Sequence, residues 1–437
     1  MSLIIGNLAI IGISFYFLDK YRLARNHLNP VLIFITFISV LAILSYHGSV
    51  IIGNEDFPYV PGGDGEKYFV QARFLAKGNP LNAPNVITLN YLGYQIILGL
   101  WFKFFGTNLF HGLLLNYGVL VFSLILLCIS TYLLTNNKKI SHYTLILSMC
   151  CSHFISSGMI LLKDVFFIFS FSLILFTMVK YYKGSNSPLL MLNIIIAGLI
   201  IGSLRLPFLV VLPAISILIG RFYSLKNMIL LGVVVISFIV ALPLFLSLTK
   251  FNFTNEQVAG VVMETSLVEA ELKREKFQGG AVQRLIGGYT SMSMAKRIAL
   301  LPIPVLIQFV TPFKFWSFDF MSDHIYYLFD QLNLFWYGFI GVLIMIIPFK
   351  WRFIDDLNIK KLFAFGLILY ILMAFIYGGA IPRYSMPFIL FMMPAMGYLL
   401  FLSTQSINIK NYMIRFYSIY FGIAFCFFCL YLSIKIF

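Results

Sequence analysis

Charged residues are scarce in this chain of 437 residues, because Asp, Glu, Lys and Arg together make up only 11%. A soluble globular protein carries about 25%. The scarcity excludes an ordinary cytosolic enzyme as well as a disordered chain, which needs high charge and low hydrophobicity. Acidic residues are especially few, with 16 against 31 Lys and Arg. The sequence is instead 60% hydrophobic, which indicates that the lipid bilayer is the solvent of this protein.

Cysteine and histidine are also too few and too scattered to build a disulfide framework or a metal site. The cysteines all fall in apolar runs, at Cys128, Cys150, Cys151, Cys426 and Cys429. They therefore provide no cross-links for loops outside the membrane. The 6 histidines show no metal-ligand spacing, so we expect no cofactor and no zinc site.

Long apolar runs separated by short charged loops predict an all-α fold, a polytopic bundle of transmembrane helices formed by residues 1–437 as a single integral membrane domain. A helix needs about 20 apolar residues to cross the hydrocarbon core. On this basis we expect about twelve spans. The predicted spans are 3–18, 30–53, 110–134, 141–157, 159–181, 189–204, 206–221, 228–248, 331–349, 361–378, 384–402 and 412–434.

Lys and Arg concentrate in short loops on one side of these spans, at 19–29, 135–140, 180–187, 221–226, 350–361 and 403–415. The positive-inside rule assigns these loops to the cytoplasm. The basic balance is therefore a signal of topology, and we expect no nucleic acid partner. Most of the acidic residues then lie outside. We expect a bacterial inner (plasma) membrane protein with its chemistry on the outer face.

Two long outer loops remain, at 54–109 and 249–330. In the first loop a glycine-rich turn precedes the sequence EKYFVQARFLAKG, which predicts a helix from Asp64 to Gly78. The apolar, aromatic stretch 91–105 predicts an interfacial helix that ends at Gly106. The second loop predicts a capped helix from Thr254, followed by a proline-interrupted surface or re-entrant helix at 299–315.

Ionisable residues border the apolar runs at three places on the predicted outer side: Lys163-Asp164, Arg205 and Arg383. An unpaired charge at such a position costs a few kcal/mol or more. Function is one explanation for them. A capping Asp beside a snorkelling Lys, or arginines that mark the water boundary, is the other. Asp64 is likewise either a catalytic carboxylate or a turn residue.

The pattern Asp64-x3-Tyr68-x3-Ala72-x2-Leu75-x2-Gly78 resembles the first-loop signature of GT-C membrane glycosyltransferases. This superfamily includes protein O-mannosyltransferase-like and lipid A aminoarabinose transferase-like enzymes. Further matches follow in order. They are YLGYQIILGLWFKFFGTN as a juxtamembrane helix, Asp164 after an outward span, and Arg383-Tyr384 with Pro387 as a late RY-x-x-P element.

The chain departs from the family pattern in three respects. An extra span precedes the acidic loop, Asp64-Gly65-Glu66 replaces the common Asp-Glu pair, and the usual basic residue near the fifth or sixth span appears as Arg205. A weaker, compositional resemblance links the chain to bacterial O-antigen or capsule polymerases.

The GT-C resemblance implies transfer of a sugar from a polyprenyl-phosphate-linked donor to a glycan or lipid-linked acceptor, with Asp64 as general base. It implies that Asp164 orients the acceptor or supports Asp64, and that Glu66 is a substitute base. The phosphate ligands are then Lys163, Arg205 and Arg383, and the rings that stack on sugar or isoprenoid are Tyr68 and Tyr384. A divalent ion between Asp64 and Glu66 is an open alternative.

Two other functions remain open. A repeat-unit polymerase that uses a polyprenyl-pyrophosphate oligosaccharide would suit the cations of the second outer loop, among them Lys273 and Arg274, although glutamates are interleaved with them. A transporter or flippase for lipid-linked sugars ranks third, because the sequence shows neither an internal repeat nor buried charges in the middle of its spans apart from Arg205.

Overall fold

The computed structural model describes residues 2–51, 64–78, 92–159, 161–185, 187–204, 293–302, 305, 339–377 and 382–436. All regular secondary structure within these ranges is helical. The α-helices run in chain order as α1 (Ser2–Lys20), α2 (Ala24–Ile51), α3 (Asp64–Ala76), α4 (Leu92–Phe105), α5 (Leu109–Thr135), α6 (Lys138–Met149), α7 (Ser152–Met159), α8 (Asp164–Tyr182), α9 (Pro188–Leu204), α10 (Met294–Ala299), α11 (Gly341–Phe349), α12 (Leu357–Tyr377), α13 (Pro382–Gln405) and α14 (Ile407–Ile436).

Several of these helices are long and apolar enough to cross a bilayer, which makes the chain an integral membrane protein. The qualifying segments within the described part of the chain are Leu3–Lys20, Ala24–Ile43, Leu109–Thr135, Asp164–Tyr182 and Pro387–Gln405. The predicted spans over 206–248, and residues 331–338 of the predicted span 331–349, lie outside the described residues. The total of about twelve spans therefore stays a prediction.

One predicted span is wrong as a continuous helix. The run 141–157 is divided into α6 and α7 at Cys150 and Cys151. The backbone N–H of Cys150 closes α6 on the carbonyl of Ile146, whereas the carbonyl of Cys151 accepts from Phe154 and opens α7. Cys and Ser are poor helix formers, which explains why one helix ends and the next begins at these small residues. The next span also begins later than predicted, at Asp164 rather than 159.

Helices α5 and α8 form the centre of the bundle. About four fifths of each is buried, 78%, compared with 11% of the membrane-length part of α1. Around this centre pack α1, α6, α7 and α9, while α13 reaches α6 and α8. Protein therefore covers little of the apolar surface of α1.

Residues 54–109, the predicted first outer loop, contribute a pair of helices that pack on the bundle. As the sequence predicts, α3 begins at Asp64, and the chain turns at Gly78 with φ +76°. The second helix, α4, ends at Phe105 and is followed by Gly106 with φ +95°. Helix α4 contacts α3 on one side and α5 and α9 on the other. It thereby attaches the Asp64 segment to the bundle core.

Loops that the sequence assigns to one side of the membrane are in contact with one another. The ammonium of Lys138 donates a 2.9 Å hydrogen bond to the carbonyl of Arg22, which joins loops 135–140 and 19–29. Lys350 Nζ lies 3.6 Å from the centre of the Tyr412 ring, which joins loops 350–361 and 403–415. These contacts define one end of the bundle, called the basic end below.

Helices α6 and α13 connect the two pairs of loops. A Cβ built on Gly397 of α13 would lie 3.0 Å from the carbonyl oxygen of Ile140 in α6. Only glycine permits this approach, and it brings the end of α13 beside the start of α6. The basic loops that follow α13 and precede α6 therefore belong to the same end.

Candidate functional site

The segments that carry most of the predicted site residues meet at the end of the bundle opposite the basic end. Helices α5 and α8 finish at the basic loops, at Thr135 and Tyr182, so their first residues, Leu109 and Asp164, lie at the opposite end. Helix α9 runs the other way and brings Leu204 to the same place, where Lys163 contacts it. We call this region the site end.

Lys163 and Asp164 are both buried there, with exposed fractions of 1% and 2%. Asp164 is the first residue of α8, where the partial positive charge of a helix N-terminus stabilises a carboxylate. Lys163 Nζ lies 3.5 Å from the carbonyl oxygen of Leu204, the last described residue of α9. A backbone carbonyl oxygen is a favourable acceptor for an ammonium. The ammonium thus faces the end of α9 in this structure, rather than solvent.

A chain of hydrogen bonds ties α4 and α5 to the segment just before Lys163. The hydroxyl of Tyr94 donates to Asn116 Oδ1 at 3.0 Å. Asn116 Nδ2 in turn donates to the carbonyl oxygen of Leu162 at 3.3 Å. Both side chains are fully buried. We call this arrangement the Tyr94–Asn116 chain.

The Tyr94 phenol is held in its protonated, donating form. Burial raises the pKa of Tyr94, and the nearby carboxylate of Asp164 raises it further. A phenolate is therefore disfavoured at any physiological pH. The hydrogen bond to Asn116 therefore persists throughout the physiological pH range.

Tyr68 belongs to the same cluster. Its ring is 3% exposed and packs edge-on against the ring of Tyr94, with centroids 5.2 Å apart. Tyr94 also packs edge-on against Phe166 of α8 at 5.7 Å. Asp64 begins α3 one turn before Tyr68, or about 6 Å along the helix axis. The side chains of Asp64 and Glu66 lie outside the described part of the structure.

The first turn of α13, which carries Arg383 and Tyr384, lies at nearly the same depth as the start of α8. Phe388 of α13 stacks on Phe171 of α8, with ring centroids 5.7 Å apart. Asp164 precedes Phe171 by about 10 Å of helix, and Arg383 precedes Phe388 by about 8 Å. The side chains of Arg383 and Tyr384 are not described, and all of Arg205 lies outside the described residues.

Sequence reasoning missed several polar residues of the site end. They are Tyr94 and Asn116, together with a buried pair in which Gln95 Nε2 donates to Gln71 Oε1 across the α3–α4 contact. A signal was present, because Asn116 interrupts the apolar run LLLNYGVL and Gln95 interrupts GYQIILGL. Burying an amide is costly unless it is hydrogen-bonded, so an amide in such a run indicates a buried partner.

Within the described ranges, no three His, Cys, Asp or Glu side chains come together as metal ligands. The alternative of a divalent ion between Asp64 and Glu66 falls on side chains outside those ranges and stays a prediction. The chemistry of the described site end is that of a buried carboxylate, a buried ammonium, and amide and phenol groups that fix the backbone between them.

No protein-family model and no curated protein sequence matches this chain. Among solved structures, an archaeal oligosaccharyltransferase, AglB from Archaeoglobus fulgidus in complex with an inhibitory peptide and a dolichol-phosphate, aligns with 92% of this chain at 15% identity and a TM-score of 0.47. The alignment covers 54% of that enzyme, so the chain spans about half its length.

Proposed function

We propose that this protein is a membrane glycosyltransferase of the GT-C type that acts on the extracytoplasmic face. In this proposal it transfers a sugar from a polyprenyl-phosphate-linked donor to a lipid-linked glycan or another acceptor during surface-polysaccharide assembly. The observation that carries the proposal is the meeting of α3, α4, the Lys163–Asp164 segment and the end of α9 at the end of the bundle opposite the basic loops. Three of the ordered sequence matches to GT-C enzymes lie on these same segments, and the fourth, Arg383-Tyr384 with Pro387, lies on α13.

The proposed reaction needs one base and one or more cations. An acceptor hydroxyl attacks the anomeric carbon of the sugar, the bond from that carbon to the phosphate oxygen breaks, and polyprenyl phosphate leaves. Asp64 takes the hydroxyl proton as general base. Cations stabilise the negative charge that develops on the departing phosphate. No redox partner is required, and the carboxylate returns the proton to water after each turnover.

The remaining predicted residues have supporting roles in this proposal. Asp164 orients the acceptor or supports Asp64, and Glu66 is a substitute base. Lys163, Arg205 and Arg383 are the proposed ligands of the donor phosphate. For Lys163 this role requires its ammonium to exchange the carbonyl of Leu204 for a phosphate oxygen. Tyr384 is proposed to stack on sugar or isoprenoid, whereas the ring of Tyr68 already packs on Tyr94.

The decisive experiment is to identify the lipid-linked intermediate that accumulates when the gene is deleted, by mass spectrometry of extracted polyprenyl lipids. An incomplete unit or an unmodified acceptor is expected for a transferase. A complete single repeat unit would instead indicate the polymerase that the second-loop cations favour. A lipid profile identical to that of the wild type would contradict both.

The same strain tests the proposed base. Cells that carry Asp64→Asn should accumulate the intermediate as the deletion does, while the variant is still present in the membrane. The matched control is Asp19→Asn, which makes the same change at an exposed carboxylate of the basic end and should restore the wild-type profile. Restoration by Asp64→Asn would remove Asp64 as the base, and accumulation with Glu66→Gln alone would transfer that role to Glu66.

A further inference from the structure

We infer that Asn116 and Tyr94 act together as positioning residues for the Lys163–Asp164 segment, with Asn116 holding the carbonyl of Leu162 so that the two charged groups keep their places at the start of α8. The inference rests on the proposed function, since it assigns these groups a part in glycosyl transfer. Neither Tyr94 nor Asn116 touches the reacting atoms in this account.

The segment in question has little structure of its own. Helix α7 ends at Met159 and α8 begins at Asp164, and Leu161 to Lys163 form the connection. Its last residue is tied to α8, because the carbonyl of Lys163 accepts from the N–H of Phe166. The position of Leu161 and Leu162 depends on contacts with neighbouring helices. Helix α5 supplies two of them on one face, four residues apart.

The first contact is a close approach at Gly112, where an added Cβ would lie 2.9 Å from Leu161 Cδ2. The second is the 3.3 Å hydrogen bond from Asn116 Nδ2 to the Leu162 carbonyl. Residues at i and i+4 lie above one another on a helix. Helix α5 therefore holds consecutive residues of the connection, once by packing and once by a directional bond.

The Leu162 carbonyl determines which way the Asn116 amide points, because it only accepts and therefore requires the amide nitrogen. The amide oxygen then faces Tyr94, whose hydroxyl donates to it. The two hydrogen bonds hold the amide from both sides in this one orientation, and the Tyr94–Asn116 chain is therefore preorganised. Removing the phenol hydroxyl takes away one of these two hydrogen bonds and weakens the hold of Asn116 on the connection.

The neighbouring residue provides a matched comparison. Tyr117 donates a 2.6 Å hydrogen bond to Asn7 Oδ1, and Asn7 Nδ2 donates to Ser39 Oγ at 3.0 Å. This second chain has the same chemistry, a tyrosine followed by an asparagine and an acceptor. It joins α5 to α1 and α2, which carry none of the predicted site residues. If the hydrogen bonds served only to join helices, breaking either chain should reduce glycosyl transfer equally. If Tyr94 and Asn116 position the segment, only breaking their chain should reduce it strongly.

The experiment compares Tyr94→Phe with Tyr117→Phe in the full-length protein in proteoliposomes. The substrates are a labelled polyprenyl-phosphate monosaccharide and the lipid-linked acceptor extracted from the deletion strain. We expect Tyr94→Phe to lower kcat about tenfold with little change in KM, and Tyr117→Phe to lower it less than about twofold. Asn116→Asp, which keeps the shape and loses the donor to Leu162, should follow Tyr94→Phe.

A double-mutant cycle separates positioning from simple stability. If Tyr94 acts through Asp164, then adding Tyr94→Phe to Asp164→Asn should change kcat by less than about twofold, because the group being positioned is already inactive. If the fold losses of kcat in the two single variants multiplied in the double variant, the inference would be overturned. Equal losses of kcat in Tyr94→Phe and Tyr117→Phe would also overturn it.

Hydrogen–deuterium exchange of the peptide that spans 160–166 gives a readout independent of catalysis. Exchange there should rise in Tyr94→Phe and stay unchanged in Tyr117→Phe. Inactive wild-type protein with faster exchange in Tyr94→Phe would overturn the proposed function and leave the positioning of the segment standing. Active wild-type protein with unchanged exchange and unchanged kcat in Tyr94→Phe would overturn this inference and leave the proposed function standing.

Discussion

The two ends of the bundle place the same kinds of charged residue in opposite surroundings. At the basic end, Lys138 and Asp355 are exposed to the surface. At the site end, Lys163 and Asp164 are buried, with exposed fractions of 1% and 2%. An exposed charge costs almost nothing to keep, whereas a buried one has lost its hydration and needs specific partners. In the proposed function, charge sets topology at one end and is retained for chemistry at the other.

The strongest test of this contrast replaces one aspartate with asparagine at each end of the bundle. Asp164→Asn should reduce glycosyl transfer about 100-fold, because the segment loses the buried charge that orients the acceptor or supports the base. Asp355→Asn makes the identical change at an exposed position and should leave transfer within about twofold of wild type. Initial rates in proteoliposomes measure both. Equal losses in the two variants would contradict a special role for the site end.

A weaker but still large effect is expected when the buried lysine is removed. Lys163→Met keeps the length of the side chain and loses the charge that contacts Leu204 and, in the proposal, the donor phosphate. Affinity for the polyprenyl-phosphate monosaccharide should fall about tenfold while the acceptor KM stays the same. The control is Lys180→Met, which removes a half-buried ammonium near Tyr21 at the basic end. If donor affinity were unchanged in Lys163→Met, Lys163 would not be a ligand of the donor phosphate, and its contact with the end of α9 would be its remaining role.

The contact between α4 and α9 gives a third comparison, in stability rather than rate. A Cβ at Gly93 would lie 2.3 Å from Ser203 Oγ and 2.7 Å from the Ser203 carbonyl oxygen. Gly93→Ala therefore forces the helices apart and should destabilise the protein by about 1–3 kcal/mol. In Gly12→Ala the new methyl group has no neighbouring atom within 4 Å, so the melting temperature of that variant should not decrease. A melting temperature unchanged in Gly93→Ala would show that α4 is not pressed against the bundle.

The limits of the first-loop helices were accessible to sequence reasoning because they are set locally. Asp64 follows the glycine-rich sequence at 61–63 and begins α3, and the glycines at 78 and 106 follow the ends of α3 and α4 with positive φ. The break at Cys150 and Cys151 was missed, since apolar character alone reads through two short helices. Hydropathy reports what a residue prefers, and it does not report where the backbone changes direction.

Which residues of the site contact one another could not be predicted from the sequence, for a different reason. The carbonyl that Lys163 contacts belongs to Leu204, and the amide that holds Leu162 belongs to Asn116. These pairs are far apart in the chain and meet only through helix packing. The sequence identified the residue types that are costly to bury. Which of them share a hydrogen bond depends on how α4, α5, α8 and α9 pack together.

The smallest expected effect concerns a lysine of the basic end. Lys138 donates to the carbonyl of Arg22 at an exposed position, and water replaces such a bond at little cost. Lys138→Gln should therefore shift the melting temperature by no more than about 1 °C. The orientation of the protein in the membrane should also stay the same, because all the basic loops contribute to the positive-inside bias and one charge is a small part of it. A loss of glycosyl transfer in Lys138→Gln would require the two ends to be energetically coupled through α5 and α6, and the separation of topology from chemistry would then fail.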